Sequence, residues 1–157
     1  MKYPIKGFLI FCLVFSNLGF SQPTVIKAKA YVDVVSGKLI EPANIVIEDG
    51  KISAINPKIF PQNFVSIELP NKIFLPGLMD MHTHLDADFN GSFDHFITKE
   101  SASKGAIRAA FNAEKTLMAG FTTVRNVGQL HFTKELIDVA LQESSVDGWI
   151  KAPHIIA

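Results

Sequence analysis

Two histidines one residue apart, His82 and His84, are the side chains in this sequence best suited to hold a metal ion. They close the run Leu75-Pro76-Gly77-Leu78-Met79-Asp80-Met81-His82-Thr83-His84-Leu85, a turn followed by a short apolar stretch. On a β-strand successive side chains alternate faces, so Asp80, His82 and His84 share one face. Two imidazoles at that spacing stand roughly 6.5–7 Å apart along the strand. Their ring nitrogens can converge on one ion at about 2.0–2.1 Å from each. Neutral imidazole is the commonest metal ligand among side chains, but His-x-His alone also fits two ordinary histidines at a strand end. The elements around the pair must decide.

The chain has 157 residues, 48% of them hydrophobic and 19% charged, with 13 Phe, a composition that folds rather than stays disordered. Its formal charge is zero and it carries no basic run, so nothing points to nucleic acid or an anionic membrane as a partner. Residues 1–21 read as an export signal. Lys2 and Lys6 supply the positive start, residues 7–15 the apolar stretch, and Gly19-Phe20-Ser21 a small-x-small cleavage pattern. The apolar run is shorter than the roughly 20 residues that span a bilayer, and Phe11 before Cys12 is too bulky for a lipoprotein signal. The expectation is a periplasmic or secreted protein, cleaved near Ser21 and without a stable membrane anchor. Cleavage removes Lys2, Lys6 and the only cysteine, leaving 13 basic residues (15 less two) against 15 acidic ones. With no thiol left, a metal must be held by His, Asp, Glu or a modified Lys.

Residues 22–75 form a β-rich segment. Short β-type runs cover residues 25–35, 39–47, 51–55 and 64–69, divided by Ser36-Gly37, Glu48-Asp49-Gly50, Asn56-Pro57 and Pro70-Asn71. Asp49-Gly50 between two such runs is a hairpin signal, because the turn requires positive φ. The expectation is a small antiparallel sheet, part of a β-sandwich whose second layer comes from elsewhere.

From residue 76 the pattern changes. Residues 86–96 read as a polar loop, and residues 100–119 as a helix with an apolar stripe of Ala106, Ile107, Ala110, Phe111, Ala113, Leu117 and Met118. Gly120 stands where a helix stops. Residues 121–127 form a β-branched run. A second helix is expected over residues 133–143, capped by Thr133, with Leu136, Val139 and Ala140 inward, and Ile155-Ile156-Ala157 reads as a further strand. Strands alternating with helices imply parallel βα units, and in such folds chemistry sits at the carboxyl ends of the strands, where His82 and His84 lie.

The ordered combination of Leu-Pro-Gly-Leu-Met-Asp-Met-His-Thr-His with Ala119-Gly120-Phe121-Thr122-Thr123-Val124-Arg125 resembles the start of the amidohydrolase superfamily of metal-dependent hydrolases. Within it, the likeness is to the imidazolonepropionase-related and Xaa-Pro dipeptidase-like group. Pro153-His154-Ile155 resembles the lead into the third barrel strand. The resemblance implies an α/β fold, the first βα units of a TIM-type (β/α)8 barrel over residues 76–157, incomplete in this chain, preceded by the sandwich portion. It implies that His82 and His84 bind zinc or another divalent metal in a site for one or two ions. It also implies hydrolysis, by metal-activated water, of amide C–N bonds in cyclic or dipeptide-like small molecules.

The family's strand-four lysine, its two further histidines and its acid–base aspartate have no counterpart in these 157 residues, so no catalytic residue is assigned and the chain alone is expected to be inactive. A non-catalytic exported module that keeps the start of the fold is the alternative. Asp86, Asp88, His95 and His131 are read as solvated loop residues rather than extra ligands. Asp80 is read as orienting a histidine, pairing with Arg125, or accepting backbone N–H groups. Asn126 stands where the resemblance places an aspartate.

Overall fold

The computed structural model describes residues 22–157; the expected export signal lies outside them. The chain divides into two compact units, one ending at Leu75 and the other beginning at Pro76.

The first unit is one five-stranded sheet built from β1 (Thr24–Asp33), β2 (Lys38–Ile40), β3 (Ala43–Glu48), β4 (Lys51–Ile55) and β5 (Val65–Phe74). The β3–β4 hairpin turns at Asp49-Gly50 with φ of 49° and 72°, the double positive φ of the turn that matches strand twist. Register sets Val25 opposite Val46 and Ala28 opposite Ala43, and all four are buried. Three expectations need correction. Residues 39–47 are two strands rather than one, parted at Glu41-Pro42, where proline offers no N–H to a ladder. Pro70-Asn71 does not end a strand: β5 continues to Phe74, and the register with β1 slips between Ala28 and Ala30 to pass the proline as a bulge. The sheet is also mixed rather than antiparallel, because β5 runs parallel to β1. Strand runs can be read locally, but the direction of a partner arriving 40 residues later cannot.

The second unit contains β6 (Leu78–Thr83), α1 (Phe93–Lys99), α2 (Ala102–Met118), β7 (Phe121–Asn126), α3 (Ile137–Val146) and β8 (His154–Ile156). The strands form a parallel sheet in the order β6-β7-β8, as βα units require. Its core joins Leu85, Ala109, Ala113, Val124, Ile137, Leu141 and Ile155. The Ser101 hydroxyl caps α2 by accepting from Lys104 N, and Gly120, at φ 98°, turns the chain out of the helix into β7.

Here too the sequence expectations shift. The loop over residues 86–96 gives way at Phe93 to α1, which a single buried side chain, Phe96, anchors. The packed face of α2 is Gly105, Ala109 and Ala113, whereas Ile107, Phe111 and Met118 are 73%, 58% and 77% exposed. Small residues let the helix lie close on the sheet, while the larger apolar side chains stay exposed. Helix α3 starts at Ile137 rather than Thr133. It buries Ile137 and Leu141, leaving Leu136 and Ala140 exposed, one position off the expected face.

Candidate metal centre

Strand β6 ends one residue before His84, and its register with β7 slips between Asp80 and Thr83. Simple alternation therefore does not by itself aim the two histidines. Asp80 Oδ1 accepts a hydrogen bond from His82 N at 3.0 Å and shapes the backbone at the slip. Of the three roles read for Asp80, backbone acceptance is the one seen. Arg125 instead donates from Nε to the Met81 carbonyl at 2.9 Å, and no Asp80–Arg125 ion pair occurs among the described residues.

The two imidazoles lie with ring centroids 5.4 Å apart and planes at 74°. Both line a groove of about 1000 Å³, together with Asp80 and Thr83 on the strand side and Ile107 and Phe111 of α2. His82 is exposed and His84 half-buried. His84 Nδ1 lies 2.8 Å from the Gly128 carbonyl oxygen. A carbonyl can only accept, so Nδ1 carries a proton, and in a neutral ring the lone pair is then on Nε2. That is how metal-binding histidines are ordinarily held, with the second ring nitrogen donating to a carbonyl or carboxylate. The donor chemistry thus fits a divalent ion. It supplies two ligands, since no cluster of three His, Cys, Asp or Glu residues suited to a metal occurs among the described residues.

Asn126 is buried directly behind His84. Its Oδ1 accepts from Leu85 N at 2.9 Å and from Thr83 Oγ1 at 3.3 Å, and its Nδ2 donates to the Gly128 carbonyl at 3.3 Å. The Asn112 amide donates to the carbonyls of Leu85 and Ala87 at 2.8 and 3.1 Å. The segment after His84 is therefore held from both sides.

The other loop candidates separate into two kinds. His95 is exposed on α1, and Asp88 is half-buried and accepts from Asn90 N at 3.0 Å in a local turn. Asp86 and His131, expected to be solvated, are instead 2% and 4% exposed. Asp86 Oδ2 accepts from both Leu130 N and His131 N at 2.9 Å, pinning the loop after β7 to the loop after β6. His131 Nε2 donates to the Glu100 carbonyl at 2.7 Å and its ring stands edge-on to Phe96 at 5.4 Å. Both are buried and bonded into these loops, while Asp86 Oδ1 and His131 Nδ1 have no hydrogen-bond partner among the described residues. The one sequence sign for these clasps is a polar side chain at a strand's end followed by a glycine, as in Asn126-Val127-Gly128, where Gly128 takes φ of 93°.

The sequence profile of the amidohydrolase family matches residues 73–153. A dihydroorotase of Ligilactobacillus salivarius is 31% identical over 115 residues, covering 71% of this chain and 24% of the relative. A D-hydantoinase of Geobacillus stearothermophilus is 33% identical over 85 residues, covering 54% of this chain and 17% of the relative. Among solved structures, a Xaa-Pro dipeptidase with methionine bound in its active site superimposes with a TM-score of 0.72 at 31% identity, over 85% of this chain and 32% of that one. The chain thus spans about a quarter of the dihydroorotase and a third of the dipeptidase. The β6-α2-β7-α3-β8 series is the start of a TIM-type barrel, as expected.

Proposed function

Because the chain belongs to the amidohydrolase family, we propose that it forms the metal-holding start of a hydrolase that cuts amide C–N bonds in cyclic amides or peptide-like small molecules. His82 and His84 are two ligands of zinc or another divalent ion. The observation that carries this reading is the Gly128 carbonyl on His84 Nδ1, which leaves Nε2 available as a ligand in a ring whose centroid is 5.4 Å from that of His82. When bound, such an ion supplies Lewis acidity toward water and toward the scissile carbonyl. The chain's own residues bind and orient: Asp80 holds the His82 backbone, while Asn126 and Gly128 hold His84. The names dihydroorotase, D-hydantoinase and Xaa-Pro dipeptidase borne by similar proteins support a small amide as substrate. Export is part of the same proposal and rests on Lys2, Lys6, the apolar stretch and Gly19-Phe20-Ser21.

Catalytic zinc ordinarily has three protein ligands. A chain that brings two together turns over amides slowly or not at all by itself. The direct test is a Zn2+ titration of the full chain followed by histidine ring NMR. The expected result is perturbation of His82 and His84 before His95, His131 and His154, abolished by His84→Ala. Zinc binding unaffected by His82→Ala and His84→Ala would refute the site. Rapid, chelator-sensitive hydrolysis of hydantoins or dipeptides by the isolated chain would refute the dependence on further ligands.

A further inference from the structure

Asn126 joins the residues on either side of His84 to the carbonyl that the His84 ring itself uses. Its Oδ1 accepts from Thr83 Oγ1 before the histidine and from Leu85 N after it, and its Nδ2 reaches the Gly128 oxygen that accepts from His84 Nδ1. The ring of bonds closes through one buried amide. We propose that Asn126 is the positioning residue for His84, fixing the imidazole as the Nδ1–H tautomer and so keeping Nε2 unprotonated. The effect on metal affinity rests on the metal reading of the histidine pair; the tautomer is a property of the metal-free chain and does not.

The distances say which atom matters. At 2.9 Å the bond from Leu85 N is well formed, whereas the 3.3 Å contacts are weak, so the acceptor oxygen carries the positioning. Leu85 is buried, and its N–H would be left without this acceptor if Asn126 were truncated. The backbone bond from Val127 N to Thr83 O, 3.0 Å, is independent of the Asn126 side chain and keeps β6 and β7 joined there. Losing the side chain therefore frees His84 more than it opens the sheet. A carboxylate of the same shape retains the acceptor.

The experiment uses the full chain, labelled with 15N in its histidines. Without metal, the His84 ring shifts are expected to report protonated Nδ1 and bare Nε2. Asn126→Ala should move them toward a mixture of tautomers, while Asn126→Asp should keep them. Leu141→Ala, which loosens the core cluster that Leu85 also joins without removing any of the Asn126 bonds, serves as the stability control and should keep them too. With Zn2+ alone as probe, Asn126→Ala should weaken binding by about 10–100-fold and Asn126→Asp by no more than about threefold. An unchanged tautomer in Asn126→Ala, or an equal change in Leu141→Ala, would overturn the assignment. If Asn126→Ala does not fold, Asn126→Leu, which keeps the bulk and removes the acceptor, decides, since an unchanged tautomer there contradicts the role of the acceptor oxygen. Absence of zinc binding at the histidines of the unaltered chain would count against the metal reading, with the tautomer comparison still judging Asn126.

Discussion

Glu100 is a carboxylate with its side chain only 6% exposed, paired with Arg108 and with Lys104, the latter at 3.2 Å. Burial pushes its pKa up, but the hydrogen bonds and charges of Arg108 and Lys104 outweigh that and hold it below the ordinary value of 4.5. A depressed carboxylate contributes stability above its unfolded pKa and loses it as pH falls through the folded value. The melting temperature of the unaltered chain should therefore exceed that of Glu100→Gln at neutral pH, with the gap closing as pH falls below 4.5. A gap independent of pH would show that the ion pairs contribute nothing. Gly77 makes a second residue-scale case, since a Cβ there would lie 2.0 Å from Thr122 Oγ1 and 2.6 Å from Thr122 Cβ. Gly77→Ala should cost about 1–3 kcal/mol as overpacking, measured by denaturant unfolding. Adding Thr122→Gly should recover most of it in a double-mutant cycle. Of the site residues, His82 and His84 are legible because their spacing is local. The partners that orient His84 lie more than 40 residues away along the chain.

At the scale of elements, α2 shows why helical periodicity alone draws the buried face too wide, taking in Ile107, Phe111 and Met118 beside Ala106, Ala110 and Ala113. Ala102, Ala106, Ala109, Ala110 and Ala113 lie in or against the core, while Ile107, Phe111 and Met118 form a second apolar stripe on the exposed side. A sequence with two apolar stripes does not say which one packs; the close approach of the helix to the sheet does, by admitting only small side chains. Replacing Ala113, fully buried, by Leu should destabilise the unit by about 1–3 kcal/mol. Phe111→Glu should change stability by roughly 0.5 kcal/mol or less, as exposed substitutions do. Denaturant midpoints of the two variants check this, and a larger loss for Phe111→Glu would mean the stripe is covered. The offset in α3 has a related cause. Thr133 accepts from Glu135 N at 3.2 Å as a capping threonine does, but the chain becomes helical only at Ile137, whose N–H donates to Gln129 Oε1 at 2.6 Å.

For the molecule as a whole, β8 and β6 each pair only with β7, so both edges of the parallel sheet are unpaired among the described residues, that of β6 included. Leu78, Met79 and Met81 on that strand are 48%, 68% and 48% exposed. An unpaired edge beside apolar side chains and an apolar helix stripe favours association. The isolated chain should self-associate with rising concentration in sedimentation velocity, and Met79→Lys combined with Phe111→Glu should shift it toward monomer. A single monomeric species over the accessible range would count against this.

The sequence by itself determined the succession of a β-rich segment and alternating βα units, the Asp49-Gly50 hairpin, the stop at Gly120 and the His-x-His pair at a strand's carboxyl end. These follow from backbone preferences and periodicities that act over a few residues. Only the tertiary structure decided that β5 runs parallel to β1, which stripe of α2 is buried, and that Asp86 and His131 are buried. It also decided which nitrogen of His84 is free. Each depends on partners brought together across long separations, 41 residues for Leu85 and Asn126, 44 for His84 and Gly128, and 45 for Asp86 and His131. A polar side chain finds such a partner only after the sheet has formed, because the chain topology, not local preference, sets which loops meet.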